Sequence, residues 1–423
     1  MRKPALLVLL TIIALPLAAA TDPEIAALRI EIAKLSARLN ALEAARIVAP
    51  DAVLSAQKAK PEAITASQSE EPQSTELAAG ASAASSHEMG ARIHFDSYSF
   101  ARADAGLING SEFRRARLSF EGIVSGWQYA LDYELAGEGG NDGIRDAFIA
   151  RSFGTQTWML GQFKPFRSMS ELTSSNDLVV LERPYSSGAG LFAERQWQQG
   201  LGWASDAAQH RIFLGLNTLR SANSPRNEGF GLTARAITAP WKTSEQAIHL
   251  GAWLSHEKAA EATPDFQVFA NFAGRRGPRE LVARAVPNSA FSALGFEAAW
   301  QSGGWLLQSE WVQAQLNPPM QPNRDFDSAY LQVSWLAEGM RAYDASAGVF
   351  EAPSGYDNGV LEFTARFDFL QDSAVSDQWQ SAIFGLNYHL NSNLSWMFNY
   401  TLGESGISNR RVNQSALRTN FNF

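Results

Sequence analysis

The chain has 423 residues, with 35 Lys and Arg against 43 Asp and Glu, so its formal net charge is −8. A net acidic chain is a poor binder of nucleic acid. The sequence contains no cysteine, no clustered histidines and no glycine-rich phosphate loop, so it predicts no cofactor, no metal and no nucleic-acid partner.

Residues 1–20 are typical of a secretory signal peptide. Arg2 and Lys3 precede an apolar run from Ala5 to Leu17, and Ala18–Ala20 supplies an A-x-A cleavage site. A short membrane anchor is the alternative, but the run is shorter than the roughly 18–20 apolar residues that a spanning helix needs. Export would leave 33 basic (35 − 2) against 43 acidic residues, a net charge of −10.

Residues 21–47 are predicted to form a short coiled-coil helix. Apolar residues recur at steps of three and four, which are heptad a and d positions: Ile25, Leu28, Ile32, Leu35, Leu39 and Leu42. A single amphipathic helix is the alternative, because three heptads is about the lower limit for a coiled coil. The narrow apolar stripe favours the coiled coil and therefore self-association.

Residues 48–90 are predicted to be a flexible linker. The stretch "SQSEEPQSTELAAGASAASS" contains few large apolar side chains, so it cannot bury enough surface to offset the entropy of ordering.

From residue 91 to residue 423 the apolar pattern has period two. In "NLSWMFNYTL" (393–402), Leu, Trp, Phe and Tyr alternate with Ser, Met, Asn and Thr. Segments of this kind run for about 9–11 residues, the length of a tilted strand that crosses a bilayer. Aromatic residues recur near the strand ends, as interfacial girdles require. We predict an all-β fold, a 16-stranded antiparallel transmembrane β-barrel.

The joins between these strands alternate between short and long. Short periplasmic turns and long external loops produce this rhythm, whereas a soluble β-sandwich, the alternative fold, gives no reason for it. Residues 164–193 form a long join after the fifth strand, and residues 338–358 form a long join where a short turn is expected.

The strand "EFRRARLSF" (112–120) carries three arginines. Arg115 and Arg117 share one face and the apolar residues share the other, and an arginine at the lipid midplane costs about 2–4 kcal/mol. These two side chains are therefore predicted to face the lumen. Arg114 is out of phase, so it lies near the rim or a bulge turns it inward. Two roles stay open for Arg115 and Arg117: contact with anions, or pairing with Glu121 and Asp146 against the wall.

Several stretches resemble the phosphate-selective porin O and P family. They are "FRRARLSFEG", "WQYALDYEL", "GNDGIRDAFI", "LGQFKPF" and "ELTSSNDLVVLER", and the resemblance extends from about Ala91 to Phe423. It implies a trimeric, sixteen-stranded porin in the outer membrane of a Gram-negative bacterium, with the N-terminal segment in the periplasm. It also implies that the third external loop, here 164–193, folds inward to narrow the pore.

The resemblance also implies an anion pathway. Arg114 and Arg115 match arginines of the family motif, and Asp146 matches an acidic residue near the constriction. The predicted pore-lining residues are Arg114, Arg115, Arg117, Asp146, Lys164 and Arg167.

The sequence departs from the family pattern further along the chain. Gln267, Phe269 and Asn271 stand where further arginines are expected, and the arginines from Arg275 to Arg279 come too late to be assigned to the pore. This does not favour strict phosphate selectivity.

We therefore predict a porin for passive diffusion of small anions, with phosphate and polyphosphate among the candidate solutes. The alternative is a general, low-selectivity porin whose coiled coil also tethers the outer membrane to the cell wall. An outer-membrane hydrolase is disfavoured, because no G-x-S-x-G motif is present. The terminal Phe423 resembles the signal that the barrel-assembly machinery reads, and outer-membrane lipid is the expected surrounding.

Overall fold

The computed structural model describes residues 34, 85–101, 107–136, 143–207, 209–219, 229–260, 267–375 and 377–423. The predicted signal peptide, the coiled-coil core residues from Ile25 to Leu42 and the linker up to residue 84 lie outside the described residues. Those predictions therefore stay predictions.

Within the described residues, sixteen strands form one closed antiparallel barrel, because each strand pairs with its successor and the last pairs with the first. This confirms the predicted fold. Numbered in chain order with four further short strands, the barrel strands are β1 (Ser86–Phe100), β2 (Gly110–Val124), β3 (Trp127–Glu134), β4 (Ile144–Phe153), β5 (Gln156–Phe163), β6 (Gln198–Ala207), β7 (His210–Thr218), β8 (Gly229–Lys242), β9 (Gln246–Ala259), β12 (Ala290–Ser302), β13 (Trp305–Asn317), β14 (Arg324–Leu336), β17 (Val360–Asp372), β18 (Asp377–His389), β19 (Leu394–Ser405) and β20 (Arg410–Asn422).

The barrel begins at Ser86 rather than at the predicted residue 91. The residues before 91 lack a clear apolar alternation, but their backbone pairs with β2 from Gly90↔Ser119 to Ser86↔Ile123. Backbone pairing needs no particular side chain, so the periodicity of the sequence did not reveal this extension.

Side chains alternate between the lipid face and the lumen along each strand. On β19, Phe398 and Leu402 are exposed on the outer face, whereas Asn399 and Thr401 are buried on the lumen face. Lipid offers no hydrogen-bond partners, so only a closed sheet satisfies every strand's backbone groups. Among the described residues, no helix is long and apolar enough to span a membrane.

Three inserted segments occupy the lumen. The pore loop (164–197) joins β5 to β6 and contains the short helix α1 (Met169–Leu172). The outer hairpin consists of β10 (Gln267–Asn271) and β11 (Arg279–Arg284), in a long join. The inner hairpin consists of β15 (Met340–Asp344) and β16 (Val349–Ser354). It accounts for the long join 338–358, which lies at the end of the barrel where the other joins are short turns.

The barrel wall holds the tip of the inner hairpin from inside. Arg235 of β8 forms a bidentate ion pair with Glu297 of β12, at 2.9 and 2.7 Å. The same guanidinium donates to the carbonyl oxygens of Ala347 (2.6 Å) and Gly348 (3.1 Å) at the hairpin tip. A buried guanidinium that binds a carboxylate and two carbonyls has most of its donors satisfied, so the tip has a defined position.

The base of the inner hairpin is held by a second Arg–Glu pair. Arg341 of β15 binds Glu362 of β17 at 2.7 and 2.9 Å. Arg341 Nη1 also donates to the carbonyl oxygen of Asp177 in the pore loop, at 2.8 Å. The inner hairpin and the pore loop therefore support each other in the lumen.

We predict that Gly348→Ala displaces the tip of the inner hairpin. Gly348 has φ +66, and an added Cβ would lie 2.6 Å from Ile237 Cδ1 and 3.1 Å from Arg235 Nη2. Overpacking of this kind costs about 1–3 kcal/mol. The free energy of unfolding in lipid vesicles should fall by that amount, and limited proteolysis should cleave at residues 345–348.

Gly126→Ala is the matched control. Gly126 has a similar φ of +78, but an added Cβ would meet no atom within 4 Å. Both variants share the conformational penalty of a left-handed alanine, so their difference measures the contact with the wall. Equal stability and equal proteolysis of the two variants would contradict the assigned position of the hairpin.

Candidate functional site

A β-bulge turns Arg114 toward the lumen. In the pairing of β1 with β2, His94 lies opposite Arg115 but Phe95 lies opposite Phe113, so Arg114 is the extra residue. Its guanidinium binds Glu182 of the pore loop in two bonds, at 2.9 and 3.0 Å. The sequence left two alternatives for Arg114, a position near the rim or an inward turn at a bulge, and the structure has the bulge.

Arg115 and Arg117 face the lumen as predicted, and both are buried against the wall. Arg117 binds Glu134 of β3 through Nε (3.3 Å) and Nη2 (3.2 Å), and it lies 3.4 Å from Asp132 Oδ2. Arg115 Nη1 is 3.6 Å from Glu134 Oε2. The two arginines of β2 therefore form a charged network with the carboxylates of Glu134 and Asp132 on the neighbouring strand β3.

The carboxylates of this network differ from the predicted ones. Glu121 is exposed near the short-turn end of β2, and Asp146 accepts a hydrogen bond from Trp197 Nε1 at 3.2 Å. The cross-strand register explains the difference, because Arg117 lies directly opposite Glu134. Register between strands cannot be read from one strand's own sequence.

The pore loop crosses the lumen and binds the opposite wall, as predicted for residues 164–193. Leu181 N donates to Asn399 Oδ1 at 2.7 Å, and the Leu181 carbonyl accepts from Arg418 at 2.8 Å. Asn387 donates to the carbonyl oxygen of Val179 at 2.9 Å. These contacts to β18, β19 and β20 place Glu182 and the residues that follow it in the middle of the barrel.

Arg167 is not a pore-lining residue, which corrects the prediction. Its side chain is 0% exposed and forms an ion pair with Glu257 of β9 at 2.6 Å. It also donates to Ser255 Oγ (3.2 Å) and stacks on the Phe192 ring at 3.8 Å. Arg167 therefore fastens the pore loop to the wall, where no solute can reach it.

Lys164 opens the pore loop with an ammonium group inside the lumen. Nζ donates to the carbonyl oxygen of Glu171 at 2.7 Å and lies 5.6 Å from the centre of the Trp197 ring. Burial, reinforced by the charge of Arg183, lowers the pKa of Lys164 to about 7. The charge of this side chain therefore changes near neutral pH.

A cavity of about 590 Å³, the outer cavity, lies among the long loops. Three acidic side chains line it, Glu182, Glu194 and Asp368. Its cationic lining is larger and consists of Arg114, Arg115, Arg183, Arg275, Arg276, Arg279 and Arg366. Seven cations against three anions give this cavity a formal charge of +4 (7 − 3).

A second cavity of about 330 Å³, the inner cavity, lies deeper in the barrel. Its acidic side chains are Asp132 and Asp146. Its cationic side chains are Arg92, Arg115, Arg117, Lys164 and Arg183. With Lys164 protonated the formal charge is +3 (5 − 2). Arg115 and Arg183 line both cavities, so they lie at the boundary between them.

The arginines of the outer hairpin do reach the lumen. Arg275 binds Glu112 at 2.9 Å and Arg279 binds Glu194 at 3.0 Å, and both arginines line the outer cavity. The sequence left these residues unassigned, since the hairpin that carries them inward depends on distant contacts such as the hydrogen bond of Ser381 Oγ to the Phe272 carbonyl oxygen, at 2.9 Å.

Several residues of the site were absent from the prediction. Arg92 is a lumen residue of β1, and Arg183 belongs to the "VVLER" segment of the pore loop. The period-two alternation of β1 could have indicated that the Arg92 side chain faces the lumen. Nothing in the sequence indicated Trp197, whose ring has Arg117 at 5.5 Å and Arg145 at 5.0 Å. In the described part of the chain, no cluster of three or more acidic or histidine side chains could hold a metal ion.

The barrel and its inserted segments can now be compared with known proteins. The family model for "Phosphate-selective porin O and P" matches residues 88–423. An uncharacterised protein of Caulobacter vibrioides is 27% identical over 353 residues, which covers 76% of this chain and 70% of that protein.

Two solved structures show the same fold at low sequence identity. The trimer form of OmpT, an outer membrane protein of Vibrio cholerae, has a TM-score of 0.52 at 11% identity, covering 80% of this chain and 100% of that one. An anion-selective porin from Comamonas acidovorans has a TM-score of 0.54 at 13% identity, with coverage of 80% and 100%. Through the family match over the whole barrel, this chain belongs to the phosphate-selective porin O and P family and is an outer-membrane porin.

Proposed function

We propose that the porin conducts small anions by passive diffusion, through the outer cavity, past Arg115 and Arg183, and into the inner cavity. The observation that carries this proposal is the positive charge of the two cavities: ten different cationic side chains, Lys164 included, and five acidic ones line them, a formal charge of +5 (10 − 5), in a chain whose overall charge is −8. A water-filled passage with low-dielectric walls concentrates ions of the opposite sign, so its local charge outweighs that of the distant surface.

Arg183 and Arg115 are the arginines best suited to meet a solute. Arg183 donates from Nε to the carbonyl oxygen of Ser170 at 2.9 Å and from Nη2 to that of Thr173 at 2.5 Å, and carbonyls do not neutralise the guanidinium charge. The ion pair of Arg115 with Glu134 is long, at 3.6 Å, and Arg115 lines both cavities. Both groups therefore retain capacity for an anion.

The ion pairs of the lumen arginines support a general preference for small anions. They do not support strict selection of phosphate. Recognition of phosphate in a wet pore requires several donors around one oxyanion. Arg114 already binds Glu182 through two nitrogens, and Arg117 binds Glu134 and Asp132 through all three of its guanidinium nitrogens. Phosphate remains one candidate solute among small anions.

A homotrimer is proposed as the working assembly, in keeping with the trimer form of the Vibrio cholerae protein. Phe423 is exposed, lies 5.9 Å from the Phe421 ring and pairs through its backbone with Ala91. That position at the barrel seam supports its proposed role as the signal for the barrel-assembly machinery. A tether to the cell wall, and the periplasmic placement of the N-terminal segment, concern residues outside the described part and stay predictions.

Reversal potentials in planar bilayers under a KCl gradient test the proposed selectivity. We expect chloride to be favoured over potassium, and we expect Arg115→Gln with Arg183→Gln to reduce that preference. Arg411→Gln is the control, because Arg411 is 77% exposed and binds Glu404 at the rim. A potential near zero in the unmodified protein would favour the general, low-selectivity porin instead.

Glu134→Gln should increase the preference for chloride. The substitution removes the charge that pairs with Arg115 and Arg117, while a carbonyl oxygen remains to accept the 2.7 Å hydrogen bond from Ala116 N. A unit charge about 10 Å from an ion in water is worth about 0.4 kcal/mol, so chloride should gain about twofold and potassium lose about twofold, and their permeability ratio should change about fourfold. An unchanged ratio, with the barrel intact, would show that the arginine network does not act on the solute.

The preference for chloride should also depend on pH. Lys164 loses its positive charge as the pH rises through about 7, and Asp177, whose pKa burial raises to about 6, gains a negative charge at somewhat lower pH. Both changes lower the positive charge of the lumen, so chloride preference should fall as the pH rises. The two titrations overlap, so reversal potentials should show one broad fall in chloride preference across this range.

Two variants separate the contributions of Lys164 and Asp177. Lys164→Arg should remove the upper part of this fall, because a guanidinium keeps its charge near pH 7. Asp177→Asn should remove the lower part of the fall and leave the upper part. A pH profile that neither variant alters would assign the titration to other groups.

A further inference from the structure

The inner cavity has an apolar side as well as a basic one. Its apolar lining consists of Phe148, Met159, Phe163, Phe166, Leu172 and Trp197. Phe163 and Phe166 are buried and stack on each other at 5.5 Å, so they belong to the packing between pore loop and wall. Phe148, Met159, Leu172 and Trp197 are only half-buried and leave part of their surface open to the cavity.

Apolar surface exposed to an aqueous lumen is unfavourable in proportion to its area. A channel for inorganic anions alone gains nothing from such a surface, since phosphate and chloride make no apolar contacts. The arrangement is also rigid, because Phe148 and Met159 stand on the paired strands β4 and β5. Phe148 lies opposite Gly161, where an added Cβ would come within 2.6 Å of Phe148 Cα.

Trp197 connects the two sides of the cavity. Its indole nitrogen donates to Asp146 at 3.2 Å, which fixes the ring. Arg145, Arg117 and Lys164 lie 5.0, 5.5 and 5.6 Å from the ring centre. An aromatic ring with cations beside it can contact the body of an organic solute while the cations bind its charged group.

We propose that the inner cavity binds small organic anions, in which a carboxylate is attached to an aromatic or compact apolar body. The carboxylate would lie against Arg115 and Arg183 and the body against Phe148, Met159 and Trp197. The volume of about 330 Å³ is at the lower end of the range of about 300–1,000 Å³ for small-molecule pockets. This inference rests on the proposed anion conduction and names the class of solute that it favours.

Benzoate and acetate are suitable probes, since they carry the same charge and differ in the aromatic ring. Benzoate diffuses more slowly in water, so a channel that senses only charge and size favours acetate. We expect the ratio of benzoate to acetate permeability, from bi-ionic reversal potentials, to exceed the ratio of their diffusion coefficients in water. A ratio at or below the aqueous value would overturn the inference.

A double variant, Phe148→Thr with Met159→Gln, should lower the benzoate to acetate ratio about threefold, because part of the apolar contact is lost. Chloride selectivity should not change, since no charge is altered. Met340→Gln is the matched control, because Met340 is a half-buried methionine on the inner hairpin, outside the inner cavity. The same loss in the Met340 variant would contradict a specific apolar contact.

The single variant Met159→Gln keeps the length of the side chain. It replaces the double variant in this measurement if the double variant does not insert into bilayers. The chloride reversal potential separates the two levels of the proposal. Chloride preference without benzoate preference would overturn the organic-anion site and leave anion conduction in place. Absence of a chloride preference in the unmodified protein would overturn the proposed function itself.

Discussion

The whole structure depends on the requirement that every backbone N–H and C=O group in the bilayer find a partner within the protein. Sixteen paired strands meet that requirement only by closing, with β1 bonded to β20. A barrel of this size has a lumen too wide for wall side chains to fill. The pore loop and the two hairpins occupy that space, so the passage is shaped by segments that the lipid never contacts.

Charged side chains in the lumen have two distinct roles. The partners that each side chain binds show which role it has. Arg167, Arg235 and Arg341 are almost fully buried, and each is bound to a glutamate, so they hold inserted segments in place. Removal of one partner from such a buried pair is costly, because the other charge remains without compensation. Arg115 and Arg183 instead border open space and have incomplete or uncharged partners. A cation can thus be necessary for the fold without acting on the solute.

Period-two alternation and join lengths were sufficient to predict the barrel, its strand number and the lumen orientation of Arg115 and Arg117. The bulge at Arg114 was one of two alternatives that the sequence left open. The burial of Arg167 was not predictable, since its partner Glu257 is 90 residues away in the sequence. The inner hairpin was visible only as a join of unexpected length. Local periodicity reports local geometry, whereas inserted segments are placed by contacts between distant residues.

The contacts that hold the pore loop leave its solute-facing chemistry free to vary. Arg366 and Arg418 bind the carbonyl oxygens of Glu182 and Leu181, at 2.7 and 2.8 Å, and Asn387 binds the carbonyl oxygen of Val179. These bonds go to the backbone, so a substitution at one of the bound positions need not release the loop. These main-chain bonds act beside the side-chain ion pairs of Arg167 with Glu257 and of Glu182 with Arg114, whereas the charge and polarity of the passage depend on individual side chains. One barrel can therefore acquire a different solute preference through few substitutions, without a change in its architecture.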